Sequence, residues 1–163
     1  SPIRGETFVT RKITMAVARI KQGLEDCLFI GNLDAQRDWG HAKDYVEGMW
    51  RIMQHEEADD FVLATGETHS VREFIELAFN EVGVRIKWQG AGIDEVGVEI
   101  QTGKTIVKVD PRYFRLTEVD LLLGDSSKAK KILGWKHSTT FYELIKQMVK
   151  ADIDLLNLKL RKV

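Results

Sequence analysis

The chain alternates amphipathic helical stripes with short apolar runs, and no glycine-rich turn joins one of these runs to a following helix. A dinucleotide-binding sheet that folds by itself needs several strand–helix units and a glycine-rich turn after its first strand. The pattern therefore predicts a mixed α/β domain that lacks most of such a sheet. The length of 163 residues corresponds to about one domain.

Apolar spacing and capping signals predict the individual elements. Helices are expected at Phe8–Lys21 with Thr7 as cap, at Asp38–Gln54 with Asp38 as cap, after Ser70, at Ser127–Leu133 and after Thr140. Short strands are expected at Cys27–Ile30, Phe61–Ala64, Arg85–Trp88 and Val119–Leu123, with a hairpin over Val96–Val109. Ser70 with Glu73, and Thr140 with Glu143, have the spacing of capping boxes.

Composition excludes several classes of function. Lys and Arg together number 24 against 25 Asp and Glu, so the net charge of −1 gives no reason to expect a nucleic-acid partner. No apolar run is long enough to span a membrane, and we expect a cytoplasmic protein. The single cysteine and the scattered histidines predict neither an internal disulfide nor a metal site.

Two motifs resemble catalytic signatures but fail on spacing or context. Gly97–Thr105 ends in Gly-Lys-Thr, yet five residues separate its glycines where a phosphate-binding loop needs four. Tyr142 and Lys146 have the spacing of the acid/base pair of short-chain dehydrogenases, but no nucleotide loop precedes them. We expect the first to be a hairpin and the second to be a pair on a helix flank.

Three polar clusters favour the binding of an anion. The first surrounds the start of the first predicted helix, where backbone N–H groups attract negative charge. The second follows the Cys27–Ile30 run, and its arginine presents a forked donor that suits a phosphate. The third pairs an arginine with a carboxylate three residues later, which suits a phosphate and a sugar hydroxyl. The clusters contain Arg4, Thr10, Arg11 and Lys12; Arg37 and Asp38; and Arg115 and Glu118.

These clusters lie in segments that resemble the GDP-mannose 4,6-dehydratase family of extended short-chain dehydrogenases/reductases. The most specific runs are Phe-Val-Thr-Arg-Lys within Ser1–Ile13 and Gly-Asn-Leu-Asp-Ala-Gln-Arg-Asp-Trp within Gly31–Val46. The stretches Val109–Asp125 and Ser127–Trp135 are similar to the same family, so the resemblance covers essentially the whole chain.

The resemblance implies a two-domain enzyme that oxidises C4 of the GDP-mannose sugar with bound NADP, eliminates water across C5 and C6, and returns the hydride to C6. The family's glycine-rich fingerprint and its catalytic Thr, Glu, Tyr and Lys are not in this sequence. Residues 1–163 are therefore expected to be the C-terminal, GDP-sugar-binding portion of the enzyme, without most of the Rossmann domain and inactive alone. The chain begins with Ser, and we expect it to be truncated at its N-terminus. The full-length enzyme is expected to be a homo-oligomer.

The resemblance also implies roles for individual residues. Arg4 contacts NADP, Val9 and Lys12 contact GDP-mannose, Asn32 and Leu33 lie near the guanine, Arg37 and Arg115 bind the diphosphate, and Glu118 binds the ribose. No catalytic or metal-binding residue is expected. The sequence departs from the family at Leu116, where proline is common, and at Ile3, where arginine is usual.

Two alternatives remain open on the sequence. One is a stand-alone nucleotide-sugar-binding or regulatory module, and the other is half of a split enzyme that pairs with a separate Rossmann chain. An exposed apolar face favours a missing partner, because a stand-alone domain covers such a surface.

Overall fold

Helices and short strands alternate along the chain and form the expected mixed α/β fold. The structure is a computed structural model that describes all residues except 118, 120, 162 and 163. Its helices are α1 (Val9–Lys21), α2 (Ala42–Met53), α3 (Val71–Asn80), α4 (Ser127–Leu133) and α5 (Phe141–Leu160). Its strands are β1 (Leu28–Ile30), β2 (Gln36–Arg37), β3 (His69–Ser70), β4 (Ile86–Gln89), β5 (Val96–Glu99), β6 (Thr105–Val109) and β7 (Leu121–Leu122).

The strands form two small sheets, and their topology places the loops of interest. The larger sheet has the order β1-β6-β5-β4, in which β1 and β6 are parallel and the other pairs are antiparallel. The smaller sheet has the order β3-β2-β7. Because parallel strands end at the same edge, the loops that follow Ile30 in β1 and Val109 in β6 lie side by side.

The core lies where α1, α3 and α5 meet one another and the larger sheet. Their inward faces bury Ile13, Phe74, Phe79, Ile145 and Met148 completely. The stripes predicted for the third and fifth helices are confirmed, because each presents its apolar residues at helical spacing to this core.

Capping signals are confirmed in one helix and half confirmed in another. At α5, Thr140 Oγ1 accepts a hydrogen bond from Glu143 N (3.2 Å), and the Glu143 carboxylate accepts one from Thr140 N (2.9 Å). At α3, Ser70 Oγ accepts from Glu73 N (3.0 Å), but the Glu73 carboxylate contacts His69 Nδ1 (3.0 Å). The second capping box is therefore only half formed, because His69 competes for the carboxylate.

Helix α1 differs from the prediction at its start and agrees at its end. Phe8 occupies the N-cap position and makes no side-chain cap hydrogen bond, so the predicted cap at Thr7 is wrong. Gly23 follows the helix with φ of +70°, in the left-handed conformation that favours glycine at a helix end.

Helix α2 begins four residues later than predicted. Asp38 accepts hydrogen bonds from Thr65 N (3.0 Å) and Thr65 Oγ1 (2.6 Å), so its carboxylate holds a turn instead of capping a helix. His41 is the cap, since its Nδ1 accepts from Lys43 N (3.1 Å). The sequence suggested Asp38 because aspartate is a strong N-cap residue, but the neighbouring turn uses it.

The strand predicted at Phe61–Ala64 is wrong for this chain. The run belongs to neither sheet among the described residues. Nearby, the outer face of α2 leaves Val46, Met49, Trp50 and Met53 exposed. An apolar run becomes a strand only where another strand supplies hydrogen bonds. The prediction was wrong because it rested on the apolar residues of the run alone. Across the described residues, no helix has both the length and the apolar character of a membrane span.

Candidate functional site

The two loops at the shared edge of β1 and β6 touch through Gly31. A Cβ atom at Gly31 would lie 2.2 Å from the carbonyl oxygen of Tyr113, so a larger residue would force the loops apart. The next residue joins them by hydrogen bonds. Asn32 Nδ2 donates to Arg115 O (2.8 Å), and Asn32 Oδ1 accepts from Arg115 N (2.8 Å). This reciprocal pair fixes the backbone from which the Arg115 side chain projects.

The second loop is also fixed from within by Asp110. Asp110 N donates to Ile30 O (2.8 Å), and Asp110 O accepts from Tyr113 N (2.9 Å). The Asp110 carboxylate accepts from Arg112 N (2.9 Å) and from the Arg112 guanidinium, and these hydrogen bonds lower its pKa from the usual range. The loop that carries Arg115 is therefore held at Asp110 as well as at Arg115.

A cleft of about 310 Å³ lies between these loops and the start of α1. Three cationic residues, Lys12, Arg37 and Arg115, line it from separate parts of the chain. Lys12 Nζ lies 3.4 Å from the centroid of the Tyr113 ring. Arg37 Nη1 donates to Val119 O (2.6 Å) and to Gln36 O (2.7 Å). The cleft is lined by Thr7, Val9, Lys12, Ile30, Gly31, Asn32, Ala35, Arg37, Val71, Tyr113 and Arg115.

A second cavity of about 420 Å³ adjoins the cleft and shares Asn32 and Ala35 with it. Leu33, Val109, Phe114 and Leu121 give it apolar walls, and Asp34, Gln36 and Glu95 give it polar groups. A flat, partly polar ring fits an apolar cavity of this kind, and the adjoining cationic cleft suits phosphate groups. Together the two spaces can hold a nucleoside diphosphate.

Arg4 lies apart from this cleft. Its guanidinium stacks over the Phe8 ring, 3.5 Å from the centroid, and it lines a third space of about 370 Å³ with Thr10, Trp39 and Tyr45. Burial and the nearby Asp38 and Asp44 carboxylates raise the pKa of Tyr45 to about 12, so its hydroxyl stays protonated at neutral pH.

The cationic cluster predicted at the start of α1 is therefore not one site. Arg11 is buried, and its Nε donates to Asp152 Oδ1 (2.7 Å). Its Nη1 donates to the carbonyl oxygens of Pro2 and Arg4. Arg11 holds the backbone of the segment that carries Arg4, while Arg4 and Lys12 face different spaces.

The structure brings most of the predicted binding residues together. Val9, Lys12, Asn32, Arg37 and Arg115 line one cleft, and Leu33 lines the adjoining cavity. Glu118 lies outside the described residues. In the described part of the chain, no group of three histidine, cysteine or acidic side chains is placed to hold a metal ion.

Sequence reasoning missed three residues that shape this region. Gly31 permits the contact between the two loops, and the Tyr113 ring supports Lys12. Glu95, which directly precedes β5, lines the cavity. Gly31 had a visible signal, since a glycine directly after an apolar strand often allows close approach of another backbone. Glu95 had none, because its place depends on the pairing of distant strands.

The family model and the curated relatives indicate one family. The family model described as GDP-mannose 4,6 dehydratase matches residues 1–148. A protein from Sinorhizobium fredii named GDP-mannose 4,6-dehydratase is 58% identical over 96% of the chain and is covered over 44% of its own length. The chain thus spans about two fifths of the length of the curated relatives it matches.

Solved structures share the fold at low sequence identity. RMD from Pseudomonas aeruginosa, solved with NADPH, matches 95% of this chain over 46% of its own, with a TM-score of 0.76 and 20% identity. UDP-glucose 4-epimerase from Thermotoga maritima, solved with UDP-glucose, matches 96% of this chain over 42% of its own, with a TM-score of 0.67 and 22% identity. The expected mixed α/β fold is confirmed, and these solved structures share it over most of this chain.

Proposed function

Because the chain belongs to the GDP-mannose 4,6-dehydratase family, we propose that it is the GDP-sugar-binding portion of an NADP-dependent enzyme that converts GDP-mannose to GDP-4-dehydro-6-deoxy-mannose. One observation carries the proposal. Lys12, Arg37 and Arg115 come from three distant parts of the chain and line one cleft beside a largely apolar cavity. Such an arrangement suits a diphosphate joined to a base.

Each cationic group has a distinct part in this binding. Arg37 and Arg115 offer forked donors that match the oxygens of the diphosphate, and Lys12 offers a compact positive charge. Asn32 acts through Arg115, because both halves of its amide are bonded to the Arg115 backbone. The ribose contact expected of Glu118 remains a prediction.

Arg4 is the residue of this chain that we propose to contact NADP. Its guanidinium is stacked on Phe8 and lines a space separate from the cationic cleft, so one chain can hold substrate and touch cofactor at once. When bound, NADP supplies the hydride acceptor and donor for the reaction at the sugar. The cytoplasmic location and the homo-oligomer expected from the sequence remain predictions.

We further propose that the chain alone does not turn over GDP-mannose. The Tyr142 hydroxyl bonds to Glu81, which raises its pKa, whereas a catalytic tyrosine needs its pKa lowered. This supports the view that the Tyr142 and Lys146 pair has no catalytic role. Conversion of GDP-mannose by the purified chain, free of contaminating enzyme, would refute the proposal.

The remainder of the enzyme is proposed to pack on the exposed apolar face of α2 and on Val62, which is 54% exposed. Both surfaces are apolar, and the curated relatives are more than twice as long as the matched region. A surface of this kind is typical of a contact with another domain.

The binding proposal is tested by calorimetric titration of the chain with GDP. Arg37→Ala and Arg115→Ala are each expected to weaken binding at least tenfold, which corresponds to about 1.4 kcal/mol. Arg85→Ala is the matched control, since Arg85 is exposed and lies outside the cleft. Equal affinities for all four proteins would contradict the proposal.

A further inference from the structure

The cavity beside the cationic cleft contains a carboxylate that binding of the diphosphate does not use. Asp34 lines this cavity between Leu33 and Ala35, and its side chain is 81% exposed. Arg72 donates to it from Nε (3.0 Å) and from Nη2 (2.8 Å), and both hydrogen bonds end on Oδ1. A carboxylate has about four acceptor sites, so Oδ2 remains for a ligand.

Arg72 is itself held firmly and therefore fixes Asp34. Its Nη1 and Nη2 donate to the two carboxylate oxygens of Glu95 (2.6 and 3.0 Å), and its guanidinium lies over the Trp88 ring, 4.7 Å from the centroid. Hydrogen bonding to Glu95 raises the pKa of Arg72 further above its usual range. Glu95 uses both oxygens on Arg72, so Asp34 is the better acceptor for a ligand.

The backbone around Asp34 is equally constrained. Arg72 N donates to Leu33 O (2.8 Å), and Val71 N donates to Ala35 O (3.2 Å), so the loop on both sides of Asp34 is tied to the start of α3. The cavity also shares Asn32 and Ala35 with the cationic cleft. A base joined to a diphosphate in that cleft would therefore meet a carboxylate that is already positioned.

We propose that Asp34 selects guanine by accepting hydrogen bonds from the ring N1–H and the exocyclic 2-amino group. This inference rests on the proposed function, which supplies a guanine nucleotide as ligand. Guanine presents these two donors side by side. Adenine presents an acceptor at N1, and uracil places carbonyl oxygens on both sides of its single N–H, so each meets the carboxylate with a lone pair. A site built for a donor discriminates strongly against bases that lack it.

The test is a set of calorimetric titrations with GDP, IDP and ADP. IDP keeps the N1–H of guanine but lacks the 2-amino group. For the unsubstituted chain we expect GDP to bind more tightly than IDP, and IDP more tightly than ADP. In Asp34→Asn the preference for GDP over ADP should fall roughly tenfold or more, and the preference for GDP over IDP should approach unity.

Asp94→Asn is the matched control. Asp94 is an exposed aspartate in the short turn Gly92–Asp94, and it does not line the cavity. Loss of a negative charge near an anionic ligand strengthens binding of all three nucleotides alike. The ratios should therefore stay unchanged in Asp94→Asn, and a change of the ratios in Asp34→Asn reports the lost hydrogen bonds. Circular dichroism of each variant establishes that it is folded.

The outcomes separate this inference from the proposed function. Unchanged ratios in Asp34→Asn, with GDP still preferred, would overturn the role of Asp34 and leave the proposed function standing. Failure of the unsubstituted chain to bind GDP, or a preference for ADP, would overturn the proposed function and the inference that rests on it.

Discussion

At the scale of residues, neighbours in the sequence take opposite roles. Arg11 is buried against Asp152, whereas Lys12 reaches the cleft. Successive helical residues point about 100° apart, so one turns into the core while the next faces outward. The sequence predicted a cationic cluster here because it shows charge without direction.

Replacement of Arg11 tests its structural role. Arg11→Met leaves the buried Asp152 carboxylate without its cationic partner, and we expect the free energy of unfolding to fall by about 3–5 kcal/mol. Urea denaturation measures this loss. Arg19→Met on the same helix is the control, because the Arg19–Glu25 pair is more open (3.7 Å) and its loss should cost about 1 kcal/mol or less. Equal losses would contradict the account.

At the scale of elements, local signals predicted more than long-range pairing did. Helix α5 and the β5–β6 hairpin were predicted correctly because caps, turns and apolar spacing specify them within a few residues. The start of α2 was wrong because Thr65, distant in sequence, binds Asp38. The cleft was anticipated through its arginines and Lys12, but the support that Tyr113 gives to Lys12 depends on the pairing of β1 with β6.

Asp44 joins α2 to the segment before α5 and makes stability depend on pH. Burial raises its pKa, but hydrogen bonds from Ser138 Oγ (2.7 Å) and Thr139 N (3.1 Å) outweigh this and leave the pKa below its usual range. A lowered pKa in the folded state means that the ionised carboxylate stabilises the fold above pH of about 4, and that this contribution disappears as the pH falls through the folded-state pKa.

We therefore expect Asp44→Asn to be less stable than the unsubstituted chain at neutral pH, and the difference to shrink as the pH falls from about 5 to about 2. The measurement is the free energy of unfolding in urea at several pH values. A difference that stays constant over this range would show that the carboxylate charge is not what stabilises the junction.

At the scale of the whole molecule, the apolar face of α2 is an exposed surface that a self-contained domain usually covers. Met49, Trp50 and Met53 are 57%, 61% and 81% exposed, and they lie on one face of the helix. We expect the chain to self-associate in solution through this surface and to bind a hydrophobic dye.

Substitution of both Met49 and Trp50 by Glu should reduce self-association and dye binding, as measured by sedimentation and fluorescence. Ile100→Glu is the control, because Ile100 is similarly exposed (53%) but lies outside α2. If the control lowers both signals as much as the double variant does, the α2 face is not the surface concerned.

A calorimetric titration with GDP-mannose and UDP-glucose shows whether this chain carries a formed GDP-sugar site. We expect saturable binding of GDP-mannose with one site per chain, and binding of UDP-glucose at least tenfold weaker. Equal affinity for the two nucleotide sugars, or no binding of GDP-mannose by the folded chain, would contradict it.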